Sequence, residues 1–355
     1  MYGCQCPKRL YLHKFKRELR NPEDDVQQSI FDSGTSVGEL ARDLFPNGVD
    51  VSPPNPFSYQ VSVAKTKKLI EQGTRIIYEA TFQYEGVMCA LDILVRNGNS
   101  WFAFEVKGST AVKGQHLQDA ALQYWVVTNS GLALEDISII HLNSLYVRKG
   151  ELNIQHLFTT QSILEEVLNQ REFITSKVQE LKNLLATKIE PAVDIGPHCS
   201  SPYGCDFTQH CWAHMPKENS VFDLARGPGW VLYEEGYRHL DDIPEDYEMS
   251  STATTQLAHY RSREVHIDDE QIKDFITPLI YPLYFFDFET MMPAIPEFEN
   301  SRPYQQIPFQ FSLHIQQQRD SALQHIEYLG DGINDPRRPL VEDMLANMGN
   351  KGSIL

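Results

Sequence analysis

The order of secondary-structure signals predicts an α/β fold built on a central mixed sheet, with a second group of strands near the far end of the chain. Three observations carry this. Two turn dipeptides, Glu85-Gly86 and Asn97-Gly98, separate three runs of strand-forming residues, which predicts an antiparallel meander. Apolar residues recur at helical spacing on both sides of that meander. Strand-like runs then return after residue 280.

In chain order, residues 26–45 read as a helix, with Val37, Leu40, Ala41, Leu44 and Phe45 at helical spacing and Pro46-Asn47-Gly48 as the stop. A helix over 61–72 follows, then the meander strands 76–83, 87–95 and 101–106. A helix over 115–128 leads to strands at 137–142 and 152–158, and a long amphipathic helix over 161–187 closes this part. Between 216 and 278 the pattern loses regularity, around Gly227-Pro228-Gly229 and Ser250-Ser251-Thr252, and reads as a connector with short helices. Strands at 283–288, 309–315 and 324–329, a helix over 339–348 and the start of a strand at 353–355 complete the chain. The expected domains are therefore 1–215, 216–278 and 279–355.

With 355 residues and 41% hydrophobic content the chain can bury two ordinary cores. Its longest apolar run, 275–286, falls short of the roughly 20 residues that cross a bilayer. The chain opens on Cys4, Cys6 and a basic stretch rather than on a signal peptide, so the expected compartment is the cytoplasm and no membrane partner is expected. In that reducing setting six cysteines point to metal ligation rather than disulfides. A formal charge of −17 argues against a passive nucleic-acid coat, but not against a nuclease whose carboxylates surround cations. Lys8, Arg9, His13, Lys14, Lys16, Arg17 and Arg20 form a local basic patch, which a solvated helix face explains equally well.

The first chemical constellation lies in the meander. Asp92 interrupts an otherwise nearly apolar strand, where a carboxylate is costly unless paired or metal-bound. Glu105 and Lys107, two apart on the next strand, share a face, while Phe102, Phe104 and Val106 take the other. Two carboxylates and a lysine around one divalent cation are what metal-assisted phosphodiester hydrolysis needs, and the Val106 carbonyl is an additional oxygen. A surface Glu-Lys pair on an edge strand is the plain alternative.

This pattern resembles the P-D/E-x-K nuclease superfamily, and within it the RecB-like nucleases, with a restriction-endonuclease-like fold. The resemblance implies a helix after the lysine bearing glutamine and tyrosine, and Gln123-Tyr124 match it. It also implies an upstream helix with a glycine before a metal-binding histidine. Gly34 is present, but Gly38 stands at the histidine position and is followed by Glu39, so either Glu39 replaces the histidine as ligand or the site works without one from this helix.

Cys199, Cys205 and Cys211 stand six positions apart in PHCSSPYGCDFTQHC, with Pro202 and Gly204 shaping the first loop. An iron-sulfur cluster takes four thiolates, for which Cys6 is the best fourth ligand and Cys4 the reserve. Zinc, with His198, His210 or His214, is the alternative. Cys89 alone reads as routine core. The arrangement resembles the cluster-bearing branch of the RecB-like nucleases, including the AddB type and the CRISPR-associated adaptation exonucleases, which carry one cysteine before the nuclease core and three after it. Their first pair of the triplet is separated by two residues, whereas five intervene in this chain. A 4Fe-4S staple is the expected form, restraining a long loop.

The third constellation, Asp287-Phe288-Glu289-Thr290, follows a hydrophobic strand and resembles the first motif of DnaQ-like exonucleases on an RNase H-like fold, which would make Asp287 and Glu289 metal ligands. Such a domain is longer than the stretch from residue 281 to 355, so a truncated segment, inactive alone, is expected. Over nearly its whole length the chain resembles a bacterial family of unknown function in which a RecB-like nuclease precedes a DnaQ-like segment. The resulting expectation is a magnesium- or manganese-dependent nuclease acting on DNA ends or single strands. Asp92 and Glu105 would hold the metal, Lys107 would act on water or charge, and Gln123 with Tyr124 would place substrate. A degenerate DNA-binding scaffold and a zinc-bound structural adaptor are the rival expectations.

Overall fold

The computed structural model describes residues 2–22, 25–55 and 58–355. It is mixed α/β, with two mixed sheets. The first runs in sequence order through β1 (Val49–Asp50), β2 (Ile76–Tyr84), β3 (Val87–Asn97), β4 (Ser100–Lys107), β5 (Leu134–Leu142) and β6 (Phe158–Ser162). The second contains β7 (Leu283–Met291), β8 (Ile307–Gln316), β9 (Gln324–Leu329) and β10 (Ser353–Ile354), ordered β10-β7-β8-β9. Among the described residues no helix is long and apolar enough to cross a membrane.

The meander forms where its turns require it. Tyr84 pairs with Val87, and the intervening Glu85 and Gly86 take φ of 46° and 79°, the left-handed pair that a two-residue hairpin of matching twist demands. Asn97 pairs with Ser100, and Gly98 supplies the positive φ of 62° at the first turn position. β4 and β5 are parallel and need a crossover, which the helix Gly114–Asn129 provides. That helix buries Ala120, Ala121, Trp125 and Val126 in a core shared with Ile77, Leu91, Leu94, Ala103 and Ile139. On another core the helix Asp25–Ala41 contributes Val37 and Ala41 against Ile93, Phe104, Ile140 and Leu142. Phe45 and Phe104 pack there with ring centroids 4.6 Å apart.

Two expected elements differ. Residues 152–158, expected as a strand, hold the helical turn Ile154–Leu157, because the Asn153 side chain accepts from the His156 amide and caps it. The helix expected over 161–187 is two, Leu164–Asn169 and Arg171–Thr187, because Gln161 and Ser162 pair with Ile139 and Ser138 and extend β6.

The chain divides into two compact units, Met1–Pro22 with Glu180–Pro278, and Glu23–Gln179 with Leu279–Leu355. These units cut across the consecutive segments 1–215, 216–278 and 279–355. In the first unit, the stretch expected as a connector contributes Val221, Leu224, Leu232, Leu240, Ile243, Ala253 and Leu257 to a core that also holds Ile195 and Met215. In the second unit, the helix Arg337–Asn347 packs Leu340 on Tyr284, Phe311, Leu313 and Ile315.

Candidate active site and cysteine centre

Ile93 pairs with Phe104, so the next step of the register sets Asp92 of β3 opposite Glu105 of β4. There the side chain takes over from the backbone ladder, as the Val106 amide donates to Asp92 Oδ2 at 2.6 Å. Lys107 Nζ donates to Glu105 Oε1 at 2.7 Å and to Asp119 Oδ2 at 3.0 Å. Gln123 Nε2 donates to Glu105 Oε2 at 2.8 Å, and its own Oε1 is buried without a hydrogen-bond partner. Asp92, Glu105, Lys107 and Gln123 thus belong to one network.

Burial raises the carboxyl of Glu105, and the neighbouring Asp92 raises it further. Asp92 is also raised by burial, against the opposing pull of the Val106 amide. Burial works against the charge on Lys107, but Glu105 and Asp119 overcome it and hold the ammonium protonated above its usual range. Two opposed, desolvated carboxylates beside an unpartnered amide oxygen form a hard, electron-rich donor set of the kind a divalent cation relieves. Among the described residues no group of three or more His, Cys, Asp or Glu side chains is arranged to hold one metal ion.

Sequence reasoning missed three neighbours. Asp119 lies four positions before Gln123, the spacing that puts both on one helix face, and that periodicity was the available signal. His116 precedes Asp119 by three, is buried, and accepts from the Lys113 amide. Burial, then Lys107 and Lys113, push its pKa down to about 4. Glu79 sits opposite Asp92, between the pairs Tyr78 with Ile93 and Ala80 with Leu91, and its φ of 56° is left-handed. Burial raises its carboxyl while Arg42, 3.1 Å away, lowers it. No local sequence signal marks a left-handed glutamate inside a strand.

Tyr124 packs against the core that holds Trp125, and Glu39 is exposed on its helix. Among the described residues no hydrogen bond or ion pair joins Glu39 to the group around Glu105. Asp287 and Glu289 are exposed on β7, opposite Ser312 and Gln310 of β8. They form a separate location on the second sheet.

In the other unit, Cys6, Cys199, Cys205 and Cys211 line one cavity together with Lys8, Arg9, Asp194, His198 and Phe207. Cys4 and His210 are not among its lining residues. Both ring nitrogens of His214 are engaged, with the Cys211 carbonyl at 3.0 Å and the Tyr233 hydroxyl at 2.9 Å. Burial pushes the Cys211 thiol up to about 11 and also raises Cys205, and Cys6 and Cys199 add to both. The four cysteines share this lining, yet among the described residues no group of three or more His, Cys, Asp or Glu side chains, these thiols included, is arranged to hold one metal ion.

The N-terminal segment is tied to this loop by polar contacts. Gln5 Nε2 donates to the carbonyls of His198 and Tyr203, both at 2.7 Å. The buried Arg9 pairs with Asp206 at 2.9 Å, and Asn21 Nδ2 donates to Thr208 Oγ1 at 2.7 Å. Much of the expected basic patch is spent in such pairs, Lys8 with Glu190 and Arg9 and Arg20 with Asp206, while Lys14, Lys16 and Arg17 are exposed.

Residues 284–355 match the family described as Domain of unknown function (DUF2779). The match takes in most of β7, then β8, β9, the helix Arg337–Asn347 and β10, and leaves the carboxylate network and the cysteines outside it. No curated protein matches the chain.

Proposed function

We propose that this protein is a magnesium- or manganese-dependent nuclease that hydrolyses DNA at ends or in single strands, with a restriction-endonuclease-like first sheet. The observation that carries this reading is the meeting of β3 and β4 at this point, where Asp92 accepts from the Val106 amide at 2.6 Å and Lys107 is held 2.7 Å from Glu105. Magnesium or manganese, when bound by Asp92 and Glu105, supplies Lewis-acid chemistry. The chain's own groups do the rest. Lys107, kept charged by Glu105 and Asp119, stabilises negative charge that develops on the phosphoryl oxygens. Gln123 orients Glu105, and the Val106 amide fixes Asp92. Tyr124, partly buried against the neighbouring core, would place substrate together with Gln123.

Cys6, Cys199, Cys205 and Cys211 would hold an iron-sulfur cluster, with zinc as the second candidate because His198 also lines the cavity. Its role would be structural, closing the loop between the N-terminal helix and the 199–211 segment. In this reading the second sheet is a truncated RNase H-like segment, in which Asp287 and Glu289, exposed on β7, would be the metal ligands. A catalytically degenerate binding protein is the competing reading, favoured by the protein donors already seated on both oxygens of Glu105.

Anaerobic purification followed by degradation of labelled single-stranded DNA with added manganese tests the proposal. Wild type should degrade the strand and Lys107→Ala should lose the activity. Equal rates in the two proteins, or no activity in wild type, would overturn it. Visible charge-transfer absorbance of the preparation separates iron-sulfur from zinc.

A further inference from the structure

The segment 292–306, which links β7 to β8, does not stay with the second sheet. Ala294 is 5% exposed and packs with Ile295 into the core formed by Val37, Ile93, Ile140 and Leu142 around the first sheet. Arg148 anchors the segment further on, since its Nη1 donates to the carbonyls of Pro296 and Glu297 at 2.9 and 2.8 Å. The Arg148 amide donates to the Ser301 carbonyl at 3.0 Å, and its carbonyl accepts from the Asn300 amide at 2.8 Å. The segment then brings Tyr304 to the end of β4, where its hydroxyl donates to the carbonyl of Gly108, the residue after Lys107. The Tyr304 amide donates to the Pro293 carbonyl at 2.9 Å, which fixes the residue at both ends.

Two features single out this contact. Tyr304 has a φ of 57°, a left-handed conformation that a bulky residue holds only when its surroundings impose it, and such residues cluster at functional positions. The backbone it holds is also the one that must not move, because Lys107 is bonded to Glu105 and Asp119, and the Ser109 carbonyl accepts from Leu142 at 3.0 Å. From this we infer that the 292–306 segment holds the first sheet's site in place, with Tyr304 as a positioning residue that fixes the Lys107-Gly108 backbone. This rests on the hydrolase reading of that site. It assigns to part of the matched domain, residues 284–355, a role in the chemistry of a sheet outside the match.

The test compares full-length wild type, Tyr304→Phe and Arg148→Ala. Hydrogen exchange of the 107–113 peptide reads the backbone, and single-stranded DNA hydrolysis with manganese reads the chemistry. Tyr304→Phe keeps the ring and removes one hydrogen bond, so exchange in that peptide should quicken about fivefold, with kcat lowered by a similar factor. KM and the melting temperature should hold, which separates positioning from a general loss of stability. Arg148→Ala should quicken exchange in the same peptide with Tyr304 intact. Unchanged exchange in either variant of an active protein overturns the inference alone, as does faster exchange with unchanged kcat. A wild-type protein that hydrolyses nothing overturns the hydrolase reading and the positioning role with it.

Discussion

Glu105→Gln should reverse the order of stability between variant and wild type as pH rises. Glu105 is 6% exposed, and burial together with Asp92 pushes its carboxyl up to about 8 from an ordinary 4.5. An acid whose folded pKa lies above its unfolded one binds more protons folded than unfolded, so the unfolding free energy falls as pH climbs from about 4.5 to about 8. At about 1.4 kcal/mol per unit the loss has an upper bound on the order of 5 kcal/mol, reduced because Asp92 titrates with it. The amide in the variant carries no charge to desolvate, but it has one oxygen where Lys107 and Gln123 both require an acceptor. Leaving one donor unpaired costs about 1–3 kcal/mol at every pH. The variant should therefore be less stable than wild type at pH 5 and more stable at pH 8.5. Urea unfolding in the presence of a chelator, repeated across this range, gives the difference directly. A difference that stays constant with pH would refute a buried, titrating Glu105.

Other outcomes rest on the same contacts. Lys107→Met should lower kcat for single-stranded DNA by about 10²–10³, the usual cost of removing one group that stabilises transition-state charge. Steady-state rates check this. Asp119→Asn removes one of the two counter-charges on Lys107 and should lower kcat less, by about tenfold, with KM preserved in the same assay. Cys199→Ser and Cys6→Ser should each abolish visible absorbance of the anaerobic protein, while Cys4→Ser should retain it, because Cys4 does not line the cavity. Absorbance scans at equal protein concentration decide this.

The meander was legible because Glu85-Gly86 and Asn97-Gly98 are turn chemistry that depends on neighbouring residues alone. The Asp92, Glu105 and Lys107 group was legible for a related reason, since one hairpin with fixed register sets strand partners that are close in sequence. Gln123, which donates to Glu105, was singled out only through a resemblance, whereas Asp119 on the same helix face was missed because acidic residues on amphipathic helices are ordinary. Glu79 was hidden by a conformation no propensity favours. The break at 161–187 escaped because Gln161 and Ser162 fit a helix pattern, and only pairing with β5 makes them strand. Composition also concealed that 216–278 encloses a core, since its apolar residues are spread over short helices and find each other only in three dimensions.

The pairing of Arg9 with Asp206 joins positions 197 apart in the chain, and the contacts of Gln5 and Asn21 span similar distances. During vectorial synthesis at about 5–20 residues per second, the N-terminal helix leaves the ribosome roughly 10–40 s before its partner segment is made. For that interval its guanidinium and Leu12, which is fully buried in the finished protein, stand in water with nothing to cover them. The first sheet can pair its strands in the meantime, because β2, β3 and β4 are contiguous. Nascent chains stalled before residue 199 should therefore hold a protease-resistant sheet and a cleavable N-terminal segment, an order of assembly written into the topology.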